Sequence, residues 1–163
     1  MRPTKLSVTV FLKHKNEFLF LHRNQQRKVD PNRLNGIGGK VEIGENYLEA
    51  AIRETKEETG YEISADKVTF AGFAHLFDGY PDDWLCAFFI AEVNSLTIPL
   101  GNHVSEGQLI WIPQRSVLQS SHELVDDLHY IWPFILEKKF PFFLAAKVDE
   151  NEKISSFQLS SIG

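Results

Sequence analysis

The stretch GGKVEIGENYLEAAIRETKEETGY, residues 38–61, begins with glycines and continues as a clear helical pattern. Apolar and small residues recur with the spacing of one helix face, and Gly60 supplies a stop signal. We therefore predict a helix over residues 47–59, with a glycine-rich loop before it. The predicted buried stripe of this helix consists of Leu48, Ala51, Ile52 and Thr55.

Three glutamates lie together on another face of the same helix. Glu54, Glu57 and Glu58 occupy positions i, i+3 and i+4, which places their carboxylates within about one turn. Like charges at this spacing repel one another unless a cation lies among them, and oxygen ligands suit Mg²⁺ or Mn²⁺. The alternative is a solvated acidic surface on which Arg53 forms an ordinary ion pair. The upstream glycines favour a ligand site, because they let backbone approach a ligand closely: Gly36, Gly38 and Gly39.

The segment resembles the signature of the Nudix hydrolases, Gly-x5-Glu-x7-Arg-Glu-U-x-Glu-Glu-x-Gly-U, in which U is a bulky apolar residue. Thr55 and Tyr61 depart from the two U positions, which affects local packing more than chemistry. Every other fixed position of the signature is matched, by Gly39, Glu45, Arg53, Glu54, Glu57, Glu58 and Gly60.

The resemblance implies hydrolysis of a nucleoside diphosphate linked to another group. Glu54, Glu57 and Glu58 would hold Mg²⁺, or Mn²⁺ in its place, together with a backbone carbonyl in the Gly38–Gly39 turn. Arg53 would orient a glutamate. We expect Glu57 to be the general base in preference to Glu54, although the sequence does not decide between them.

Two further stretches resemble the MutT-like branch of the family, which clears oxidised purine nucleoside triphosphates, and in particular its mammalian type. LNGIGGKVE, residues 34–42, places Asn35 where that branch contacts the base. VDDLHYIWPFILEKKF, residues 125–140, places Asp126 and Asp127 at the purine edge. Adjacent carboxyls can both accept and donate there if one stays protonated. The alternative is that the pair caps a helix.

Other positions carry weaker signals. Leu124 stands where the base-reading branch has a tryptophan, and Trp132 belongs to an apolar helix stripe and is expected in the core. Glu106 either reaches the metal, as the resemblance implies, or is a solvated loop acid. Arg23 and Lys40 are candidates to contact phosphates, as are the backbone groups of the glycine stretch.

The remaining elements fit one α+β domain over residues 1–163, with a mixed β-sheet that the resemblance places between helices. We predict a loop at 23–35 and a second helix at 126–139, in which Pro133 kinks the helix or begins its regular part. The predicted strands are 6–12, 17–22, 68–77, 84–93, 108–112, 142–148 and 154–159, with hairpins joining the first two and the last two.

Composition narrows the functional class. The 163 residues carry a net charge of −5 and no long Lys/Arg run, which argues against binding to duplex DNA. A single cysteine, Cys86, and no apolar leader segment favour the cytoplasm. No stretch approaches the ~20 apolar residues of a membrane span. The oligomeric state is not readable from the sequence.

The leading hypothesis is therefore a Mg²⁺-dependent pyrophosphohydrolase that converts a nucleoside triphosphate, such as an oxidised purine nucleotide, into the monophosphate and pyrophosphate. The same site would also suit ADP-ribose, a nucleotide sugar, a dinucleoside polyphosphate or capped RNA. A third hypothesis is a nucleotide-binding module without catalysis. All the signature carboxylates are present, which favours an enzyme.

Overall fold

A computed structural model describes residues 2–26 and 30–163. Two α-helices are present, α1 (Tyr47–Thr59) and α2 (Asp126–Leu136), together with short 3₁₀ helices at Ala65–Lys67 and Gln114–Gln119. The strands are β1 (Thr4–His14), β2 (Glu17–Arg23), β3 (Leu34–Asn35), β4 (Ile37–Lys40), β5 (Val68–Phe77), β6 (Asp83–Glu92), β7 (His103–Val104), β8 (Gly107–Pro113), β9 (Phe142–Val148) and β10 (Ile154–Ser161).

The strands form a mixed sheet. Their order is β10-β9-β5-β6-β1-β2-β8-β7, with β3 paired to β2 and β4 paired to β1. β1 runs parallel to β6, and β5 runs parallel to β9, whereas the other neighbours are antiparallel. The predicted hairpins β1–β2 and β9–β10 are both present. The prediction of a mixed sheet is confirmed.

The sheet has a separate apolar core on each face, because side chains along a strand alternate between faces. From β1, Val8 and Val10 pack on the side of α1, and Phe11 packs on the side of α2. On the second side Trp132 is fully buried, and the rings of Phe11, Phe18 and Phe20 surround its indole. The predicted α+β arrangement, with the sheet between helices, is therefore confirmed, and so is the core position of Trp132.

Helix α1 begins and ends where the sequence predicts. Asn46 and Glu49 form a reciprocal capping box at its start, and Gly60 ends it in the left-handed conformation, with φ 82°. The buried face differs from the predicted stripe, since Leu48 and Ile52 are only half-buried. Small residues instead let the helix approach the sheet closely, and the buried side chains of α1 are Ala50, Ala51, Thr55 and Thr59.

The departure from the signature at Thr55 has a simple local explanation. Its hydroxyl donates a hydrogen bond of 2.7 Å to the carbonyl of Ala51 within the same helix. The buried polar group is therefore satisfied without a partner outside the helix, and a threonine can occupy an apolar position.

The predicted glycine loop is partly wrong, because Gly38 and Gly39 lie in the extended strand β4, which pairs with β1. A Cβ on Gly38 would lie 1.9 Å from the carbonyl oxygen of Val8. Glycine is therefore required here by the close approach of two strands, and not by a turn.

Two other segments differ from prediction. Within the predicted loop 23–35, residues 34–35 form β3, and residues 27–29 lie outside the described part of the chain. Helix α2 contains Pro133 and ends at Leu136, before the predicted end at residue 139. Across residues 2–26 and 30–163, no helix has the length and apolar character needed to cross a bilayer.

Candidate active site

Arg53 lies at the centre of the carboxylates of α1. Its Nε and Nη2 atoms donate to the two carboxylate oxygens of Glu45 at 2.7 and 2.9 Å. Its Nη1 atom donates to Glu54 at 2.9 Å and to Glu57 at 3.2 Å, and Nη2 also reaches the carbonyl of Lys40 at 3.0 Å. A planar guanidinium that donates in several directions fixes all these groups relative to one another. The contacts agree with the expectation that Arg53 orients glutamates.

These contacts also set the charge of the cluster. The hydrogen bond from Arg53 lowers the pKa of the Glu45 carboxyl to about 2, so that Glu45 is ionised throughout the physiological range. The carboxylates in turn raise the pKa of Arg53 above its usual range. Arg53 therefore stays charged, and it lies among acids that would otherwise repel one another.

Glu54 lies directly over the glycine strand. A Cβ on Gly39 would lie 2.4 Å from Oε1 of Glu54, so only glycine leaves room for this carboxylate. Burial is the largest influence on the pKa of Glu54 and raises it, against the opposing effect of the Arg53 hydrogen bond. The signature residues Gly39 and Glu54 thus pack directly against each other.

Glu58 is held against the β7–β8 hairpin. Its carboxyl is hydrogen bonded to that of Glu106, at the tip of this hairpin, and its Oε2 atom is buried without a hydrogen-bond partner among the described residues. Burial first, and then Glu106, raise the pKa of Glu58 well above its usual range. Two touching carboxyls must share a proton or bind a cation. This contact places Glu106 beside Glu58, and its predicted role as a ligand of the metal stays a prediction.

The donor set fits a hard divalent cation. Glu54, Glu57, Glu58 and Glu106 line one depression of about 490 Å³, and the unpartnered oxygen of Glu58 is the kind of ligand that Mg²⁺ accepts. Among the described residues, no group of three or more His, Cys, Asp or Glu side chains has an arrangement that could already hold a metal ion. Glu54 and Glu57 are instead engaged with Arg53.

A cavity of about 790 Å³ extends from these carboxylates to helix α2. Its lining includes Glu54, Glu58 and Glu106, and also Asp127 from the first turn of α2. This volume lies in the range of sites that enclose a small-molecule ligand. The predicted contact residues Asn35, Lys40, Arg23, Gly38 and Gly39 line the same cavity.

The two predicted basic residues differ in their surroundings. The Nε atom of Arg23 is buried and has no hydrogen-bond partner in the described parts of the chain, while the Lys40 side chain is exposed. Asn35 uses its side-chain oxygen to accept a bond of 2.8 Å from the Gly36 N–H, which leaves its amide NH₂ as the donor toward a ligand. All three are placed to contact a molecule in the cavity.

Asp126 and Asp127 point to different places. Asp127 lines the cavity, and burial, followed by the charge of Asp30, raises its pKa to about 7. Asp126 is not brought to the cavity, because its Oδ2 atom accepts a hydrogen bond of 2.7 Å from the backbone N–H of Ile154. The N-cap of α2 is Val125, which makes no side-chain capping bond. The structure therefore brings only one member of the predicted pair to the other site residues.

Sequence reasoning missed several cavity-lining residues, among them Asp30, Tyr80 and Trp84. Asp30 is 8% exposed and accepts a 3.0 Å hydrogen bond from the hydroxyl of Tyr80, which also lines the cavity. Trp84 of β6 lines it as well and offers the aromatic ring that Leu124 lacks, since Leu124 is buried in the core. Asp30 precedes a proline and resembles an ordinary turn residue, so no local signal identifies it.

Comparisons with known proteins agree with this geometry. The chain is 30% identical over 101 residues to dihydroneopterin triphosphate diphosphatase of Escherichia coli K12, and this match covers 52% of the chain and 65% of the relative, which is less than two thirds of its length. Among solved structures, a MutT protein from Bacillus halodurans is similar with a TM-score of 0.80 at 20% identity, covering 96% of this chain and 97% of that one. A MutT protein from Methanosarcina mazei Go1 has a TM-score of 0.69 at 22% identity, covering 85% and 97% respectively. These likenesses show the fold.

The model of one protein family matches residues 3–132, most of the chain. The matched region contains the strand β4, the helix α1 with its carboxylates, and the start of α2 with Asp127. Because this match covers most of the chain, the chain belongs to the NUDIX domain family.

Proposed function

We propose that this chain is a Mg²⁺-dependent pyrophosphohydrolase that converts a triphosphate into the monophosphate and pyrophosphate. The observation that carries the proposal is that one cavity of about 790 Å³ is lined both by the acids of α1 and by Asn35 and Asp127. A nucleotide has this division, with a charged phosphate chain at one end and a hydrogen-bonding ring at the other.

The acids at the phosphate end are the proposed cation ligands. Glu54, Glu57, Glu58 and Glu106 would hold Mg²⁺, or Mn²⁺ in its place, together with a backbone carbonyl of Gly38 or Gly39. When bound, such a cation neutralises phosphate charge and lowers the pKa of bound water.

Glu57 is the proposed general base. Its side chain is 59% exposed, and its one hydrogen bond to the described residues is that of 3.2 Å from Arg53, whereas Glu54 is packed against Gly39. Glu57 can therefore turn to take the proton of an attacking water while the bridging P–O bond breaks and pyrophosphate leaves. Arg53 keeps Glu57 and Glu54 in place, and Arg23 and Lys40 supply positive charge to the phosphates.

Two candidate substrates carry a ring suited to the part of the cavity lined by Asn35 and Asp127. The resemblance to the MutT-like branch favours an oxidised purine nucleoside triphosphate, for which 8-oxo-dGTP is the test compound. The similarity to a dihydroneopterin triphosphate diphosphatase favours a pterin triphosphate. Both rings present an amino group and a ring N–H beside a carbonyl, an edge that Asn35 and Asp127 can answer with hydrogen bonds.

The experiment is a panel of substrates assayed with Mg²⁺ and with products identified. It includes 8-oxo-dGTP, ordinary dNTPs, dihydroneopterin triphosphate, ADP-ribose, GDP-mannose and Ap4A. We expect pyrophosphate and a monophosphate from one of the triphosphates, and loss of turnover when a chelator removes the metal. If only ADP-ribose or GDP-mannose is cleaved, the substrate is a nucleoside diphosphate derivative and not a triphosphate.

Glu57→Gln separates an enzyme from a binding module. We expect turnover to fall by about 10²–10⁴-fold with a nearly unchanged melting temperature, because a base or cation ligand is lost from an exposed position. If the variant turns over as fast as the unmodified protein, Glu57 is a solvated surface acid and not a base or cation ligand.

A further inference from the structure

The geometry points to Asp30 as a specificity-determining residue that forms, with Asp127, a carboxyl pair in the cavity wall for a ring edge carrying N–H donors beside a carbonyl. This inference rests on the proposed function and names the recognition chemistry of the same cavity. The sequence suggests a different pair, Asp126 with Asp127, whose members are adjacent in the chain.

Asp30 is held in the cavity wall from several sides. It lies between β2 and β3 with φ 47°, and its side chain accepts hydrogen bonds from the Tyr80 hydroxyl at 3.0 Å and from Arg33 at 3.4 Å. Its backbone N–H donates to Glu152 at 3.4 Å, and Glu152 is also within 3.3 Å of Arg33. These contacts come from three separate parts of the chain, so the position of Asp30 is built by the tertiary fold.

Asp30 and Asp127 act on each other electrostatically. Both line the cavity, where Asp30 is buried and Asp127 is half-buried. Burial raises the pKa of each carboxyl, and the charge of Asp30 is the next influence on Asp127. The pKa of Tyr80 is raised above its usual range by burial and then by both carboxylates, which places all three groups in one electrostatic cluster. Two acids that act on each other in this way ionise one at a time, so one of them can keep its proton after the other has lost it.

The surroundings assign the proton to Asp127. Asp30 has the Arg33 guanidinium and the Tyr80 O–H as partners, both of which favour a carboxylate. Within residues 2–26 and 30–163, Asp127 has no ion pair. Its carboxyl has hydrogen bonds from the backbone N–H groups of Asp127 and Leu128, which favour a carboxylate less strongly than a guanidinium does. Asp30 is then a pure acceptor for the amino group and ring N–H of the ligand, and protonated Asp127 donates to the adjacent carbonyl oxygen.

Asp126 has another task in the same region. Its carboxylate binds the N–H of Ile154 at the start of β10 and lies 3.9 Å from the Lys153 ammonium. It therefore fastens the last hairpin to α2. Asp126 and Asp127 are adjacent in sequence but have different roles. The carboxyl that pairs with Asp127 belongs to Asp30, about one hundred positions away in the chain.

The chemistry is tested by binding of monophosphates, which requires no hydrolysis. Calorimetry compares GMP, IMP, which lacks only the exocyclic amino group, and dihydroneopterin monophosphate, on the unmodified protein and on Asp30→Asn. We expect the unmodified protein to prefer GMP to IMP by about 10-fold or more, because a carboxylate then accepts from the amino group. In Asp30→Asn the preference should shrink to about 3-fold or less, since the amide supplies a weaker neutral acceptor.

Asparagine tolerates a positive φ and has nearly the shape of aspartate, so the variant should fold. Circular dichroism and the melting temperature verify this, and exposed Asp66→Asn is the matched substitution remote from the cavity. Tyr80→Phe is a second variant that removes only the hydroxyl donor to Asp30. We expect it to reduce the GMP preference in the same direction as Asp30→Asn.

The outcomes separate the alternatives. A GMP-to-IMP preference that survives in Asp30→Asn, or that collapses in Asp126→Asn instead, overturns the assignment of Asp30. Failure of every monophosphate to bind also overturns it. If dihydroneopterin monophosphate binds more tightly than GMP and loses its affinity in Asp30→Asn, the assignment holds with a pterin as the source of the ring. If binding behaves as expected but no triphosphate is cleaved, the hydrolase proposal fails and the recognition pair stands.

Discussion

Replacing Asp127 by asparagine should change how the stability of the protein depends on pH. Burial raises the pKa of the Asp127 carboxyl from its ordinary value near 3.8 to about 7 in the folded protein. The folded state therefore binds a proton that the unfolded state has released between these two values. Stability contributed by this group is present in full below pH 3.8 and is lost as the pH rises toward about 7.

The size of the effect follows from the shift. A difference of about three pKa units corresponds to about 4 kcal/mol of unfolding free energy across the window. Asparagine resembles the protonated acid and does not titrate, so Asp127→Asn should lose little stability at the acidic end. Relative to the unmodified protein, it should gain up to about 4 kcal/mol between the acidic end and pH 8.

The assay is urea unfolding at a series of pH values from 4 to 8, followed by intrinsic fluorescence, with the two proteins measured side by side. The difference between their unfolding free energies removes the contribution of groups that titrate alike in both. Two parallel curves, with a constant difference across the range, would show that Asp127 is ionised in the folded protein at neutral pH. That result would refute both its burial-driven shift and its role as a donor.

Further substitutions test the other end of the cavity and the core. Gly39→Ala should lower turnover by about 10²-fold, as judged by steady-state kinetics with Mg²⁺, because the new Cβ would lie 2.4 Å from the Glu54 carboxylate and displace it. Unchanged kinetics would mean that Glu54 works from another position. Arg53→Lys should lower turnover by about 10-fold or more, since an ammonium cannot bridge Glu45 and Glu54 as the guanidinium does. A variant as active as the original would show that this bridging is dispensable. Trp132→Ala should lower the unfolding free energy in urea by about 3–5 kcal/mol, because a fully buried indole leaves a cavity. A cost below 1 kcal/mol would contradict the packing of this core.

Local signals in the sequence predict helix α1 well. The bounds of α1 follow from Asn46 and Glu49 at its start and Gly60 at its end, all of which act on neighbouring residues. The spacing of the signature acids similarly determines which of them share a helix face. The sequence predicts a loop at Gly38 because glycine signals turns locally. The structure shows that glycine is needed there because the Val8 carbonyl of the neighbouring strand lies so close.

The ring end of the cavity was predicted less well because long-range contacts build it. Asp30 is buried through contacts with Tyr80 and Glu152, which are distant in sequence. Asp126 was expected beside Asp127 in the site, but the N–H of Ile154 holds its carboxylate elsewhere. Neither interaction produces a recognisable pattern in the neighbouring sequence. An aspartate at the start of a helix has the same local sequence whether it binds a ligand or a distant strand.

The hairpin of β9 and β10 contacts only one end of the cavity, the end that contains Asp30, among the described residues. It lies beyond residue 132, where the match to the family model stops, yet its turn reaches back to Asp30 and Arg33 through Glu152. The acids around Arg53 make no hydrogen bond or ion pair with this hairpin among the described residues. Exchanging the turn for that of another protein would therefore retune ring preference while leaving the phosphate-cleaving apparatus intact. If the proposed function holds, ring selectivity and phosphate hydrolysis can therefore vary independently of each other.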